Sequence, residues 1–192
     1  MTKDVADVIR ERRSIRRFTS DEIPDATLSR LLEAACLAPS AGNRQPWFFY
    51  VVKNRGRRQD LAEAAFGQKF LAEAPVVIVI CAEPARSAAR YGERGSELYC
   101  LQDTAAAAQN LMLMAEGLGL ATCWVGAFDE AAVRKVLDMP RGYRPVVMVP
   151  VGYSNLAEAP QAPPRRPLAE VVKIVDSAKT HRNKARNSQG SR

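Results

Sequence analysis

The run from Leu98 to Leu118 constrains this chain more than any other feature, because alanine, leucine and methionine fill most of its positions. A helix that is apolar on most faces has to be covered on most sides, so this element belongs at the centre of a fold rather than on its surface. The sequence G-L-G-L at Gly117–Leu120 is suited to end it. Glu116 is the single charge between Thr104 and Phe128, yet Gln109, Asn110 and several glycines interrupt that stretch. It reads as a buried helix followed by a loop, not as a membrane span.

Helices and strands alternate around this element. Thr2 can cap a first helix with Val5, Val8 and Ile9 on one face. A second helix begins near Asp25, repeats Leu28, Leu31, Leu32 and Cys36 at helical spacing, and stops at Pro39. The aromatic and β-branched runs Trp47–Val52 and Val76–Cys81 suit buried strands, with helical composition in the Arg57–Phe66 run between them and a short helix over Gln68–Ala74. Asp129 caps a further amphipathic helix, and Pro145–Tyr153 reads as a core strand. The proline-rich segment Ala159–Pro167 can form neither helix nor inner strand, which predicts an extended arm.

At 192 residues, with 47% apolar and 26% charged side chains, the chain fits one globular domain. Its formal charge of +7 invites a nucleic-acid reading. Five of those charges, Lys179, Arg182, Lys184, Arg186 and Arg192, fall in the acid-free stretch Ser177–Arg192. A solvated, flexible tail explains them without a nucleic-acid partner. Cys36, Cys81, Cys100 and Cys123 form no C-x-x-C pair, and His181 is the only histidine, so no zinc spacing can be assembled. The cysteines read as small buried hydrophobes in a reducing compartment, and the amino terminus lacks the apolar core of a secretory signal, so the expected location is the cytoplasm.

Three polar segments stand out against the apolar frame: R-R-S-I-R-R-F at 12–18, A-P-S-A-G-N-R-Q-P-W at 38–47, and P-P-R-R-P-L at 163–168. A solvated basic turn, a helix-ending loop with Gly42 at positive φ, and a linker account for each one separately. Their combination and order, together with G-L-G-L-A-T-C-W-V-G at 117–126 and the V-G-Y at 151–153, resemble the FMN-dependent nitroreductase family from about Val5 to Val172.

The resemblance implies an α+β fold with a mainly antiparallel sheet between helices, and an intertwined homodimer whose carboxyl-terminal arm embraces the partner. Residues 1–172 would form the FMN-binding domain and residues 173–192 a basic, flexible tail. The resemblance gives Arg12 and Ser14 to the flavin phosphate or ribityl chain, Arg13 as a main-chain contributor, and Arg16 to the pyrimidine edge. Pro39, Ser40, Asn43 and Gln45 would reach the flavin of the other subunit. Gln68 and Lys69 would lie at the ring edge, Trp124, Val125 and Gly126 beside flavin N5, and Arg165 with Arg166 would clamp the phosphate from the far end. These residue types suit a dianionic phosphate and a reduced ring that carries negative charge. The implied activity passes hydride from NAD(P)H through flavin N5 to a small acceptor such as a nitroaromatic or quinone by a ping-pong route, with no catalytic side chain and no metal. Another flavin reaction on the same fold (reductive dehalogenation, dehydrogenation or flavin breakdown) is one alternative, and surface or nucleic-acid binding through the tail is a lower one. Glu83–Glu97 is brief for a region that helps cover the substrate in the family.

Overall fold

The computed structural model describes residues 3–155 and 161–175. It divides into a large unit running to Gln161 and a short one from Ala162 onward. In the large unit, four strands, β1 (Trp47–Val52), β2 (Val76–Ala82), β3 (Ala121–Thr122) and β4 (Arg144–Gly152), form an antiparallel sheet in the order β1-β2-β4-β3.

The central strands are apolar without a break because both of their faces are covered. Ile78 and Ile80 of β2, with Val147, Val149 and Val151 of β4, join Leu28 and Leu31 of α2 (Asp25–Cys36) and Leu111 of α6 (Cys100–Gly117) in one buried cluster. The alternate residues Val77, Val79, Cys81 and Met148 join Leu61 of α3 (Arg55–Ala64) and Val133 of α7 (Glu130–Val136) in a second. Side chains of a strand alternate between faces, so a strand sandwiched between helix layers has no position left for a polar residue.

Several expectations are corrected. The helix α1 (Val5–Glu11) is capped by the Asp4 carboxylate, which accepts from Asp7 N at 2.8 Å, and Thr2 lies outside the described residues. Only Val8 of its supposed apolar face is buried; Val5 and Ile9 are exposed. Strand β1 is an edge strand with Phe48 exposed rather than a fully buried one. The long helix starts at Cys100 after a π-helical turn, Gly95–Tyr99, that follows α5 (Pro84–Arg94). It ends as expected: Gly119 takes φ 75°, and Leu120 N returns to Ala115 O at 2.8 Å. The stretch after it, read as loop, contains β3. Cys36 is exposed, while the other three cysteines are buried.

The short helix α4 (Phe70–Glu73) is anchored by Arg58, a buried guanidinium that donates to the carbonyls of Lys53, Ala72 and Ala74. Burial and the neighbouring Arg55 push its pKa down, so these carbonyls must do the work that a carboxylate would otherwise do. In the short unit, Ala162–Pro167 has no regular structure, and α8 (Leu168–Val171) follows. The basic tail Ser177–Arg192 lies outside the described residues.

Candidate functional site

The residues singled out in the sequence gather into two groups at opposite corners of the sheet. The first is organised by the extended chain after α1. Ser14 bridges Thr122 in parallel, and Ile15 N donates to Thr122 O at 2.9 Å. Thr19 N donates to Tyr153 O at 2.9 Å, fixing the far end of the segment. Gly152 makes this passage possible, since a Cβ there would lie 2.7 Å from Pro75 and 3.0 Å from Phe18. Ile15 is buried, and the alternation of an extended chain turns Arg12, Ser14 and Arg16 the other way. All three act on the thiol of Cys123, the two arginines by charge and Ser14 through a hydrogen bond.

The Cys123–Ala127 segment passes beside them, held by reciprocal bonds of 3.0 Å between Val125 and Met148. Gln68 ties in the α3–α4 turn, its amide donating to Ala65 O at 3.0 Å and Ala127 O at 3.1 Å. The guanidinium of Arg16 sits 5.8 Å from the centroid of the Phe70 ring, next to Lys69. Trp124, the next residue after Cys123 in this segment, is 38% exposed. Gly126 Cα faces that indole; a Cβ there would be 3.3 Å from Trp124 Nε1.

The electrostatics of this corner favour an anion. Among the described residues, no carboxylate pairs with Arg12 or Arg16. Burial pushes the Cys123 thiol up, outweighing Arg16, Ser14 and Arg12, so it stays neutral at neutral pH and leaves the arginine charge uncompensated. The Gly126 N–H has no acceptor among the described residues. Arg13 differs: its guanidinium turns back onto the Arg10 and Arg12 carbonyls at 2.6 and 2.9 Å.

The second group is the loop Pro39–Gln45. Gly42, Asn43 and Gln45 adopt φ of 55°, 54° and 51°, so two non-glycine residues sit in the left-handed region. Such strain costs roughly 1–3 kcal/mol per residue and persists only where the surroundings impose it. Here the surroundings are identifiable. Ser40 Oγ accepts from Gln45 N at 2.9 Å, and Asn43 Oδ1 accepts from Gln45 Nε2 at 3.0 Å. Asp103, 8% exposed at the start of α6, accepts from Ala41 N at 3.1 and 3.2 Å with its two oxygens.

Asp103 was not legible in the sequence, because its partner is 62 residues away. Burial holds its carboxyl above the usual range, with the Ala41 N–H pulling the other way. A folded-state pKa above the unfolded one stabilises fully below the unfolded value, and that contribution disappears as pH rises through the folded value. Asp103→Asn, which keeps an acceptor oxygen, should therefore gain in thermal stability relative to the wild type as pH rises through the acid range. Asp103→Ala should lose about 1–3 kcal/mol at neutral pH, because Ala41 N–H is left without its acceptor. Melting curves of both variants between acid and neutral pH measure this.

The two groups are far apart in one chain. Trp47 pairs with Ala82, and Ala82 with Arg144, whereas Thr122 pairs with Val151 at the other end of β4. Strand spacing separates the corners by about 14 Å across the sheet, and strand rise by about 23 Å along it. Of the remaining candidates, Arg166 pairs with Glu170 at 3.3 Å inside the short unit, and Arg165 is exposed with no ion pair among the described residues. No group of three His, Cys, Asp or Glu side chains among the described residues could hold a metal, and no described helix is long and apolar enough to cross a membrane.

An antiparallel sheet between helix layers, with a basic corner whose Arg12 and Arg16 pair with no carboxylate among the described residues and a strained polar loop at the opposite corner, defines a class of α+β protein. The profile of the Nitroreductase family matches residues 9–69 and 64–153, and the chain belongs to that family. It is 38% identical over 151 residues to an Archaeoglobus fulgidus protein carrying the provisional name NADH dehydrogenase/NAD(P)H nitroreductase, covering 76% of this chain and 83% of that one. It is 34% identical over 189 residues to an NADH dehydrogenase of Thermus thermophilus, covering 84% and 91%. The NADPH:FMN oxidoreductase of Vibrio harveyi, solved in complex with NAD+, superposes with a TM-score of 0.81 at 25% identity, over 92% of this chain and 79% of that one. Membership makes the chain an oxidoreductase of the nitroreductase type.

Proposed function

We propose that this chain binds FMN at sites shared by two copies of itself and oxidises NAD(P)H, passing the reducing equivalents to a small acceptor such as a nitroaromatic or a quinone. The observation that carries this reading is the convergence of Arg12, Ser14 and Arg16 beside the Cys123–Ala127 segment, with no carboxylate paired to either arginine among the described residues. A dianionic phosphate and an electron-rich ring are what such a donor set favours.

The bound flavin would supply hydride transfer at N5. Arg12 and Ser14 would hold its phosphate or ribityl oxygens, with Arg165 and Arg166 as the complementary clamp. Arg16, ordered against Phe70, would place positive charge at the pyrimidine edge. The unpaired Gly126 N–H would face N5, with Trp124 and Val125 flanking it, and Gln68 and Lys69 would border the ring. Arg13 would act through its main chain. Pro39, Ser40, Asn43 and Gln45 would approach the flavin of the partner, because their corner is too far from Arg12 to complete a site within one chain. The twofold arrangement would give two equal sites. No histidine occurs among the described residues, and solvent would be the proton source for the product. The free, exposed Cys36 supports a reducing, cytoplasmic setting.

The absorption spectrum of the purified protein tests this directly. Flavin bands are expected, bleached anaerobically by NADH or NADPH and restored by a nitroaromatic or quinone. A colourless protein that cannot be reconstituted with FMN overturns the proposal, and bleaching with no return on adding either acceptor rejects the acceptor class.

A further inference from the structure

A second basic feature lies outside the residues discussed so far, on α5 and the π-helical turn behind it. The guanidinium of Arg90 stacks 5.5 Å from the Tyr91 ring centroid, and that of Arg94 lies 5.2 Å from the Tyr99 ring while its Nε donates to Tyr99 Oη at 2.9 Å. The two tyrosines meet edge to face at 5.2 Å and 81°. Two guanidiniums are thus fixed on a pair of interlocked rings, and among the described residues neither has a carboxylate partner.

The backbone is built to hold this arrangement. Gly92 turns the chain with φ 56° and ψ −143° between Tyr91 and Arg94. Gly95 then packs on the Ser87 main chain so closely that a Cβ would lie 2.6 Å from Ser87 O. The ladder also touches the strained loop: a Cβ on Gly42 would lie 2.9 Å from Arg90 Nη1, and Tyr91 Oη is nearer still. Arg44 and Arg86 lock the two segments together by exchanging guanidinium-to-carbonyl bonds of 3.0 and 2.7 Å.

We infer that Arg90 and Arg94 form a phosphate-binding site for the hydride donor, taking the pyrophosphate or 2′-phosphate of a nicotinamide dinucleotide. The inference rests on the proposed function for the identity of the donor. A guanidinium presents a planar fork that matches phosphate oxygens, and stacking on an aromatic ring orders it before the ligand arrives, so less side-chain freedom is lost on binding. The position follows from the loop. If Pro39–Gln45 borders a flavin, a donor whose nicotinamide lies on that flavin has its phosphates some way off, and Arg90 is a cation beside the loop that pairs with no carboxylate among the described residues. In the proposed flavin site the phosphate would have its own cation in Arg12, with Arg16 at the pyrimidine edge.

The experiment compares wild type with Arg90→Ala/Arg94→Ala in three measurements. Calorimetric binding of NADP+ and NAD+ should weaken at least about tenfold for one or both, as loss of charge-assisted phosphate contacts implies. KM for NADPH or NADH should rise by a similar factor with kcat held within about twofold, since the arginines do not touch the reacting atoms. Turnover with 1-benzyl-1,4-dihydronicotinamide, a hydride donor without phosphate, and the Kd for FMN should both stay within about twofold of wild type. Unchanged dinucleotide binding overturns the inference. So does an equal loss with the phosphate-free donor, which would mean loop damage, or a weakened FMN Kd, which would give the arginines to the flavin phosphate. A wild type that binds dinucleotide through these arginines but takes up no FMN leaves the phosphate site standing and rejects the flavin reading alone.

Discussion

Arg12→Ala/Arg16→Ala is expected to purify without flavin and to need about 10²–10⁴ times more FMN than the wild type for half-saturation. A hydrogen bond to a charged group is worth about 1.5–3 kcal/mol, so two of them together correspond to that range of Kd. Arg16 is exposed and Arg12 half-buried, which moves the expectation toward the lower end. The loss comes from the ligand and not from the fold, since neither guanidinium pairs with a carboxylate among the described residues and Ile15 still anchors the segment in the core. Melting temperatures of the apo forms should therefore agree within about 2 °C, as expected of surface changes worth at most about 0.5 kcal/mol. Arg13→Ala is the internal control, because its side chain is committed to the carbonyls of Arg10 and Arg12. Fluorescence titration of FMN into the wild type and the two variants measures the series; an Arg12→Ala/Arg16→Ala protein that remains fully loaded assigns the flavin contacts to other residues.

The frame of this fold was legible because each of its main elements is announced by local pattern. Leu28 and Leu31 recur at helical spacing and are buried together, and the unbroken apolar runs of β2 and β4 reflect two covered faces. Asp129 caps α7 by accepting from Ala131 N and Ala132 N, as its place before an amphipathic run suggests. What local pattern could not supply was anything fixed by a distant partner. The two-residue strand β3 exists only because β4 and Ser14 flank it. Trp124 is exposed because Cys123 and Val125, its neighbours in an extended chain, take the inward positions.

The site divides in the same way. Arg12, Ser14, Arg16, Gln68 and the Trp124–Gly126 segment were picked out by family resemblance, and the fold assembles them at one corner. The loop at the other corner was picked out as well, including the positive φ of Gly42. The residues that hold these parts in place were not. Asp103 reads as one charge in an alanine-rich helix, and nothing local pairs it with Ala41. Gly152 reads as part of a strand ending, yet it sets how closely the Arg12–Phe18 segment can pass. Tyr91 and Tyr99 meet only because the chain turns at Gly92.

Leu111→Ala should act on the opposite term of this balance. Leu111 lies fully buried on α6, in the cluster it shares with Leu28, Leu31, Ile78, Ile80, Val147 and Val149. Truncation removes buried methyl groups and leaves a cavity between two helices and the sheet, which close-packed neighbours can fill only in part. The expected loss is about 2–5 kcal/mol, or a fall of roughly 6–15 °C in melting temperature for a chain of this size. The cavity lies on the α2–α6 face, while Arg12, Arg16 and Gly126 are held by β3 and by the bonds between Val125 and Met148. FMN affinity should then stay within about threefold of wild type, so saturating FMN should raise the melting temperature of Leu111→Ala by the same increment as in the wild type. Arg12→Ala/Arg16→Ala should reverse both results, with a wild-type apo melting temperature and little or no increment. If Leu111→Ala also loses the increment, the flavin corner and the core are one cooperative unit, and the separation argued from the sheet order fails.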